Sequence, residues 1–350
     1  MKICMLVPEL DTTGGGGRFA VNLSEGLRRA GHEVEVLSYK EGFWRFVKKA
    51  RASAKHADIV HAFDINPLGI AGYLATRFTK AKLIITAQGT YAVAPLYSRK
   101  MTSLSKVIYR AADAVVAISR YTASEIRKKV PSLQMTIIDP GIDMSKFVAT
   151  NAPAERTSSP LLMIGVGSVK ARKGYDVTLR AFVLAKKDIP NLRYAIVGTH
   201  TDEPGYAHML IELARELGVE KDVDFLTKVS DAELNALYDR ASLFILTSVN
   251  ESFHFEGFGM VFLEAAAHGL PTIGTSGNGI ADAIEDGKTG ILVPQRDVEA
   301  TAKAIVMLFT DQNLAMQMGA RGHTFAADHD QKHIARRYGE VYQGAVSHER

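Results

Sequence analysis

The sequence predicts an α/β protein built from two doubly wound parallel-sheet domains, and three observations predict it. Short β-rich runs alternate with stretches of helical period along the whole chain. The alternation halts once, at VATNAPAERTSSP (148–160), and then restarts. The glycine-rich and cation-rich segments follow predicted strands directly, where sheets of this kind bind ligands.

In the first half, KICMLVP, EVEVLS, ADIVHAF, KLIITA and DAVVAIS read as strands. Between the first two, RFAVNLSEGLRRAG has helical period and stops at Gly31. Strand, helix, strand in this order demands a parallel sheet covered on both faces, and right-handed crossovers make it Rossmann-like. Residues 148–160 are rich in Ala, Ser, Thr and Pro and poor in large apolar residues, and read as a linker. Beyond them LLMIGVGS, RYAIVG, DVDFLT, SLFILT, PTIGT and GILVP repeat the strand pattern. The expected division is a Rossmann-like domain over 1–155, a second over 156–328, and a last helix over 329–350, QKHIARRYGEVYQGAV, that crosses back to the first. Two such domains are expected to face each other across a cleft at the C-terminal edges of their sheets.

Composition bounds the function. A chain of 350 residues with 47% hydrophobic content can fill two cores. Cys4 is the only cysteine, which excludes an internal disulfide or a cysteine metal cluster and fits a reducing cytoplasm. No apolar run reaches the roughly 18 residues of a membrane helix, and MKICMLVPEL reads as a first strand rather than a secretory signal. The charge is unevenly spread. Residues 1–150 carry 22 Lys/Arg against 12 Asp/Glu, and residues 151–350 carry 20 against 26. A basic half beside an acidic one implies that the first half meets something anionic.

Three segments carry chemistry. TTGGGGRFAVNL (12–23) opens a helix after the first strand, so the backbone at Gly15 and Gly16 can approach a phosphate. Its spacing is not G-x-G-x-x-G, and the second strand ends LSYK without an acidic residue, which disfavours a nicotinamide cofactor. GVGSVKARKGYD (165–176) holds the matching place in the second half. There Arg172 and Lys173, at the start of a helix, suit a diphosphate. The third segment contains EGFGMVFLE, with Glu256 in the loop before a helix and Glu264 inside it, the helix ending at Gly269 with Pro271 just beyond. A helix N-terminus facing the cleft can hold a phosphate, with Glu264 then reaching two vicinal hydroxyls and Glu256 the group beyond the phosphates. Two solvated glutamates, one complementing the helix dipole, would leave the same pattern.

The basic half concentrates its charge in GFWRFVKKARASAKHA (42–57) and YSRKMTSLSKVIYR (97–110). Aromatics beside cations on a helix suit an anionic membrane interface; an amphipathic helix packing its aromatics on the sheet has the same pattern. The eleven histidines show no metal-ligand spacing, so no metal is expected. No nucleic-acid motif is present.

Together these residues resemble the retaining nucleotide-sugar glycosyltransferases of the GT-B fold, the family that includes phosphatidylinositol mannosyltransferases, bacillithiol glycosyltransferase and sucrose synthase. The resemblance runs from the glycine-rich loop and GHEVEVLS through VVAISRYTASEI and DPGIDMSKF to RKG and EGFGMVFLEAAAHGLPTIGTSGNGIADAIEDGKTGILVP, where Glu256 and Glu264 form the Glu-x7-Glu pattern. It implies an acceptor-side first domain and a donor-binding second domain. It implies that Glu264 holds the donor ribose, that Glu256 contacts the transferred sugar, and that the amides of Phe258, Gly259, Met260 and Val261 lie near sugar and phosphates. Arg172 and Lys173 would neutralise the diphosphate as it leaves, Gly15 and Gly16 would approach the donor, and Lys228 and Val229 would flank the base. Two departures stand out: Ser168 occupies the place of a common Arg, with Arg172 as its substitute, and Gln88 in TAQGTYA replaces a common His. Gln88 and His61 are the expected acceptor-side, cleft-lining residues. The resemblance further implies a nucleoside-diphosphate sugar as donor with no other cofactor, and a lipid-linked, phosphorylated or saccharide acceptor. The lone cysteine points to the cytoplasm, and the basic aromatic stretches to a peripheral position on the inner face of the plasma membrane as one option. A non-catalytic sugar-nucleotide or membrane-binding module and a GT-B-fold sugar-nucleotide epimerase remain as alternatives.

Overall fold

The computed structural model describes residues 1–8, 15–40, 42–147 and 161–347. The chain forms two compact units, Met1–Asp143 with His329–Arg350, and Met144–Asp328. The linker expected at 148–160, and the boundary at 155/156 within it, lie outside the described residues.

The first unit contains β1 (Lys2–Val7), α1 (Gly15–Arg29), β2 (Glu33–Ser38), α2 (Phe43–Ala54), β3 (Ile59–Phe63), α3 (Ile70–Thr76), β4 (Lys82–Ala87), α4 (Thr90–Val93), α5 (Thr102–Ala111), β5 (Ala114–Ala117), α6 (Arg120–Arg127) and β6 (Thr136–Ile137). Its strands are all parallel, in the order β2-β1-β3-β4-β5-β6. The central strand β3 is buried at every residue, whereas the edge strand β2 is half exposed. Such a strand, covered on both faces, has a continuous apolar run instead of alternation.

The second unit repeats the plan with β7 (Leu161–Val166), α7 (Tyr175–Ala185), β8 (Leu192–Val197), α8 (Pro204–Glu216), β9 (Val223–Leu226), α9 (Asp231–Arg240), β10 (Leu243–Ile245), α10 (Met260–Ala267), β11 (Thr272–Thr275), α11 (Ile280–Ala283), β12 (Gly290–Val293), α12 (Val298–Thr310) and α13 (Gln312–Asp328). Its parallel order is β12-β11-β10-β7-β8-β9. The last helix, α14 (Gln331–Ser347), belongs to the first unit. It packs so closely on α1 that a Cβ at Gly26 would lie 2.9 Å from the Ala335 Cβ. Buried tyrosines on α14 also reach the sheet: Tyr338 Oη stands 3.0 Å from Thr86 Oγ1, and Tyr342 Oη stands 2.8 Å from His61 Nδ1.

Strand β6 is absent from the sequence reading. Two residues paired to β5 at Val116 and Ala117 leave no periodic signal. Among the described residues no helix is long and apolar enough to cross a membrane.

Candidate functional site

The segment after β7 is shaped by close approach. Ala171–Lys173 form a 3₁₀ turn, separate from α7 and ended by Gly174 at φ +67°. This corrects the expectation that Arg172 and Lys173 open a helix: they precede it on a turn of their own. A Cβ on Gly174 would lie 2.1 Å from the Thr247 carbonyl oxygen, so only glycine fits both the left-handed backbone and the contact. Thr247 Oγ1 donates to the Gly174 carbonyl at 2.7 Å, and Val249 N–H donates to the Arg172 carbonyl at 2.8 Å. The turn is thereby fastened to the chain leaving β10.

That chain carries Glu256. Its carbonyl accepts from Gly279 N–H at 2.8 Å, and a Cβ on Gly279 would lie 2.0 Å from the Gly257 oxygen. The Glu256 carboxylate therefore enters the same place as the two cations. Lys173 Nζ donates to Oε2 at 2.6 Å and Arg172 Nη1 at 3.1 Å, with Ser248 Oγ at 3.4 Å. The side chains of Lys173 and Glu256 are only 12% and 13% exposed. Burial pushes the Glu256 carboxyl up, but Lys173 and Arg172 outweigh burial and bring it down to about 2. Glu256 is thus a carboxylate at neutral pH; burial lowers Lys173 from its ordinary value and Glu256 opposes that fall, and with both cations charged the trio keeps one net positive charge, an arrangement suited to an anion.

The neighbouring α10 starts at Met260, capped by Gly259 at φ +89°. A Cβ on Gly259 would meet the Phe262 ring at 2.8 Å. Phe258 and Met260 bury their side chains, so what they and Val261 can offer a ligand is backbone N–H. Glu264 lies just past the first turn of this helix, 2% exposed, with Tyr238 Oη 3.4 Å from its Oε2. The structure thus gathers Arg172, Lys173 and Glu256 at one point and sets Glu264 deeper. Lys228 and Val229 follow β9, three strands from β10, or about 14 Å at the usual strand spacing. Lys228 is exposed, at φ +55°, and the capping box of Ser230 and Glu233 starts the next helix immediately beyond. His254, in the loop before Glu256, is exposed.

The first unit presents a different edge. Gly15 and Gly16 lie in the first turn of α1, and a Cβ on Gly16 would stand 3.1 Å from Gln88 Oε1. Gln88 follows β4 directly, and its backbone N–H donates to Asp64 Oδ1 at 2.6 Å. Asp64 follows β3, adopts φ +71°, and is buried. Burial raises its carboxyl to about 8, the Gln88 N–H opposing only part of that rise. Sequence reasoning missed Asp64, although its place right after a strand is the signal that singled out Gln88.

His61 requires a correction. It was expected to line the cleft, but it is wholly buried in mid-β3, with Nε2 2.7 Å from Thr86 Oγ1 and Nδ1 2.8 Å from Tyr342 Oη. Burial lowers it to about 3, so it is a neutral ring that joins sheet to helix α14. Both nitrogens are occupied by internal hydrogen bonds, leaving neither for a ligand.

Among the described residues no group of three or more His, Cys, Asp or Glu is placed to hold a metal ion.

Comparison with known proteins bears on this geometry. A family described as glycosyl transferases group 1 matches residues 150–325, and one described as glycosyltransferase family 4 matches residues 39–146. The chain is 29% identical, over 271 residues, to a GDP-mannose-dependent alpha-(1-6)-phosphatidylinositol monomannoside mannosyltransferase of Mycolicibacterium smegmatis, covering 75% of this chain and 70% of that one. It is 28% identical over 329 residues to a D-inositol 3-phosphate glycosyltransferase of Salinispora arenicola, covering 84% and 71%. The solved structure of Anabaena Alr3699/HepE in complex with UDP and glucose superimposes with a TM-score of 0.80 at 18% identity, over 98% of this chain and 99% of that one. That likeness, with the two six-stranded parallel sheets, establishes the GT-B fold.

Proposed function

This chain belongs to the glycosyl transferases group 1 family and is a glycosyltransferase that uses a nucleotide sugar, and we propose that it transfers a hexosyl group to an acceptor hydroxyl with retention of anomeric configuration and without a metal ion. The observation that carries this reading is the convergence of Lys173 and Arg172 on Glu256 at the C-terminal edge of the second sheet.

In the proposed reaction the bond from the anomeric carbon to the β-phosphate oxygen breaks. The bond to the acceptor oxygen forms on the same face, and the acceptor's proton passes to the departing phosphate oxygen. Positive charge develops on the sugar and negative charge on the diphosphate. Lys173 and Arg172 stabilise the leaving charge, one such donor being worth on the order of 3 kcal/mol. Backbone N–H groups of Phe258, Gly259, Met260 and Val261 add fixed dipoles. Glu256 accepts from a hydroxyl of the transferred sugar, and Glu264 from the vicinal ribose hydroxyls. Lys228 and Val229 flank the base. Metal independence is consistent with two fixed cations performing what a divalent ion would otherwise do. The first unit is proposed to receive the acceptor, with Gln88 offering its amide at the sheet edge.

A role in cell-envelope glycolipid or polysaccharide synthesis is supported by the names of the relatives and by helix α2. That helix buries Phe46, Val47 and Ala50 against its unit, so packing accounts for those apolar residues. It does not account for Trp44, which is 75% exposed beside the exposed Arg45, Lys48, Lys49, Arg51 and Lys55. We propose that this face rests on an anionic membrane.

The test is to incubate the protein with GDP-mannose or UDP-glucose and lipid-linked, phosphorylated or saccharide acceptors, with and without EDTA. Acceptor-dependent release of nucleoside diphosphate and an α-linked product from an α-linked donor are expected, both unaffected by chelation. Inversion in the product would rule out retention, and activity lost to EDTA would rule out metal independence. A changed sugar without nucleotide release would indicate an epimerase, and donor binding without either a non-catalytic module.

A further inference from the structure

The carboxylate of Glu256 is hydrogen-bonded to both of the cations that the reading above assigns to the diphosphate. Lys173 Nζ at 2.6 Å, Arg172 Nη1 at 3.1 Å and Ser248 Oγ at 3.4 Å all meet Oε2. The backbone that carries both sides of the pairing is fixed. Glu256 is fastened through its carbonyl to Gly279 N–H at 2.8 Å, and Arg172 through its carbonyl to Val249 N–H at 2.8 Å. The steric fit of Gly279 on Gly257, and of Gly174 on Thr247, locks both segments. An incoming diphosphate therefore has to compete for the cations with a carboxylate whose backbone is held beside them.

We propose that Glu256 makes the site selective for the intact nucleotide sugar over the free nucleoside diphosphate, and so promotes product release. This rests on the reading above, in which Arg172 and Lys173 receive the diphosphate. Both ligands bring the same pyrophosphate linkage, and both weaken the ion pairs that stabilise Glu256. A buried carboxylate that loses its partners is costly unless something replaces them. The intact donor supplies that replacement, because its sugar carries hydroxyl donors next to the phosphate. The free diphosphate supplies none, and its terminal phosphate brings an additional negative charge toward Glu256. Like charges at short range in a partly buried site repel strongly. Once transfer has removed the sugar, the cations return to Glu256 and the nucleotide is displaced. The same residue thus rewards substrate and penalises product, which a plain cationic site cannot do.

The experiment is calorimetric titration of the full chain and of Glu256→Gln with inorganic pyrophosphate, UDP, UDP-glucose, GDP and GDP-mannose. Glutamine keeps the size and an acceptor oxygen but removes the charge. The variant is expected to bind pyrophosphate and the preferred free nucleoside diphosphate about tenfold more tightly than the parent. Its affinity for the corresponding nucleotide sugar is expected to rise less or to fall, so the preference for the intact donor shrinks. Glu256→Asp keeps the charge but draws it back by one methylene, and is expected to move the ratio the same way by about threefold; it carries the test should the glutamine variant not fold. Unchanged or weaker nucleoside diphosphate binding in both variants overturns the inference while leaving the donor site standing. A parent chain that binds none of the five probes overturns the donor-site reading itself.

Discussion

Two carboxylates, Asp64 buried and Glu256 largely so, stand beyond the C-terminal ends of strands in the two sheets, and they are held in opposite protonation states. Asp64 follows β3 in the first unit, where burial raises it to about 8 against one opposing N–H from Gln88. Glu256 follows β10 in the second, where burial also acts upward but Lys173 and Arg172 bring it to about 2. The contrast runs against net charge. The basic half of the sequence, residues 1–150, contains the neutral acid, and the acidic half contains the ion cluster. Four of the cations of the first unit, Arg45, Lys48, Lys49 and Arg51, lie exposed on α2, whereas two of those of the second unit are fastened at its sheet edge by Gly174 and Val249. Net charge reports what a domain attracts from a distance; loop chemistry decides where the ligand sits.

The largest expected effect breaks the comparison by pH. Asp64 has a folded-state value above its ordinary 3.8, so folding retains a proton that the unfolded chain releases. Its contribution to stability is whole below about pH 4 and is lost as the pH rises through about 8. Glu256 has a folded-state value below its ordinary 4.5, so its contribution is present above about pH 4.5 and is lost as the pH falls toward 2. Each slope approaches about 1.4 kcal/mol per pH unit at its steepest. Between pH 4 and 6.5 the buried neutral His61 acts in the opposite sense, so urea unfolding from pH 6.5 to 8 should show stability lost with rising pH in the parent, and Asp64→Asn should remove most of that loss. An unchanged pH profile in Asp64→Asn would mean that Asp64 is already ionised at neutral pH.

Next in size is the chemistry. Lys173→Ala should lower kcat by about 10²–10³-fold with a smaller change in KM, because in the proposed reaction the lost charge acts on the leaving phosphate. Glu264→Ala should instead raise KM for the donor. If the two variants have the same kinetic signature, the division of roles between turn and helix is wrong.

Smaller again is the backbone contrast between two left-handed glycines. Gly31 at φ +85° has open space where a Cβ would go, whereas Gly174 at φ +67° has the Thr247 carbonyl at 2.1 Å. Gly31→Ala should cost about 1 kcal/mol, the penalty of the left-handed conformation alone. Gly174→Ala should cost about 3 kcal/mol, since the turn must also move. Urea midpoints measure both. Equal losses would show that the turn bearing Arg172 and Lys173 is not locked onto β10.

The second unit was the more legible of the two for a physical reason. Its cations and Gly174 sit within a few residues of one strand, and short-range chemistry survives in sequence. What could not be read is that Glu256, 83 residues after Lys173, would place its carboxylate between those cations rather than beside them. In the first unit, His61 was misplaced because β3 is buried on both faces and has no alternation to tell inward from outward. Its partner Tyr342 is 281 residues away, on a helix whose contacts no local pattern specifies. Asp64 passed unnoticed because an acid after a strand matches no short motif, and its character comes from burial, which only the packed structure supplies.

The smallest effect concerns the outer face of the first unit. Phe46 and Val47 on α2 are core residues, so deleting them would test folding, whereas Trp44 on the same helix is 75% exposed and can be removed without touching the core. An indole at a lipid interface buries apolar area worth about 1 kcal/mol, so Trp44→Ala should weaken binding to anionic vesicles about fivefold. Lys48→Gln with Lys49→Gln should weaken it by a similar factor at low salt and by less at high salt, because exposed charges are screened beyond about 10 Å. Neutral vesicles supply the control. Cosedimentation of the parent with neutral and anionic vesicles alike would remove the electrostatic half of the argument. No cosedimentation with either would confine the positive charge of the first unit to its soluble ligands, and the acceptor would then be sought among phosphorylated sugars instead of lipids.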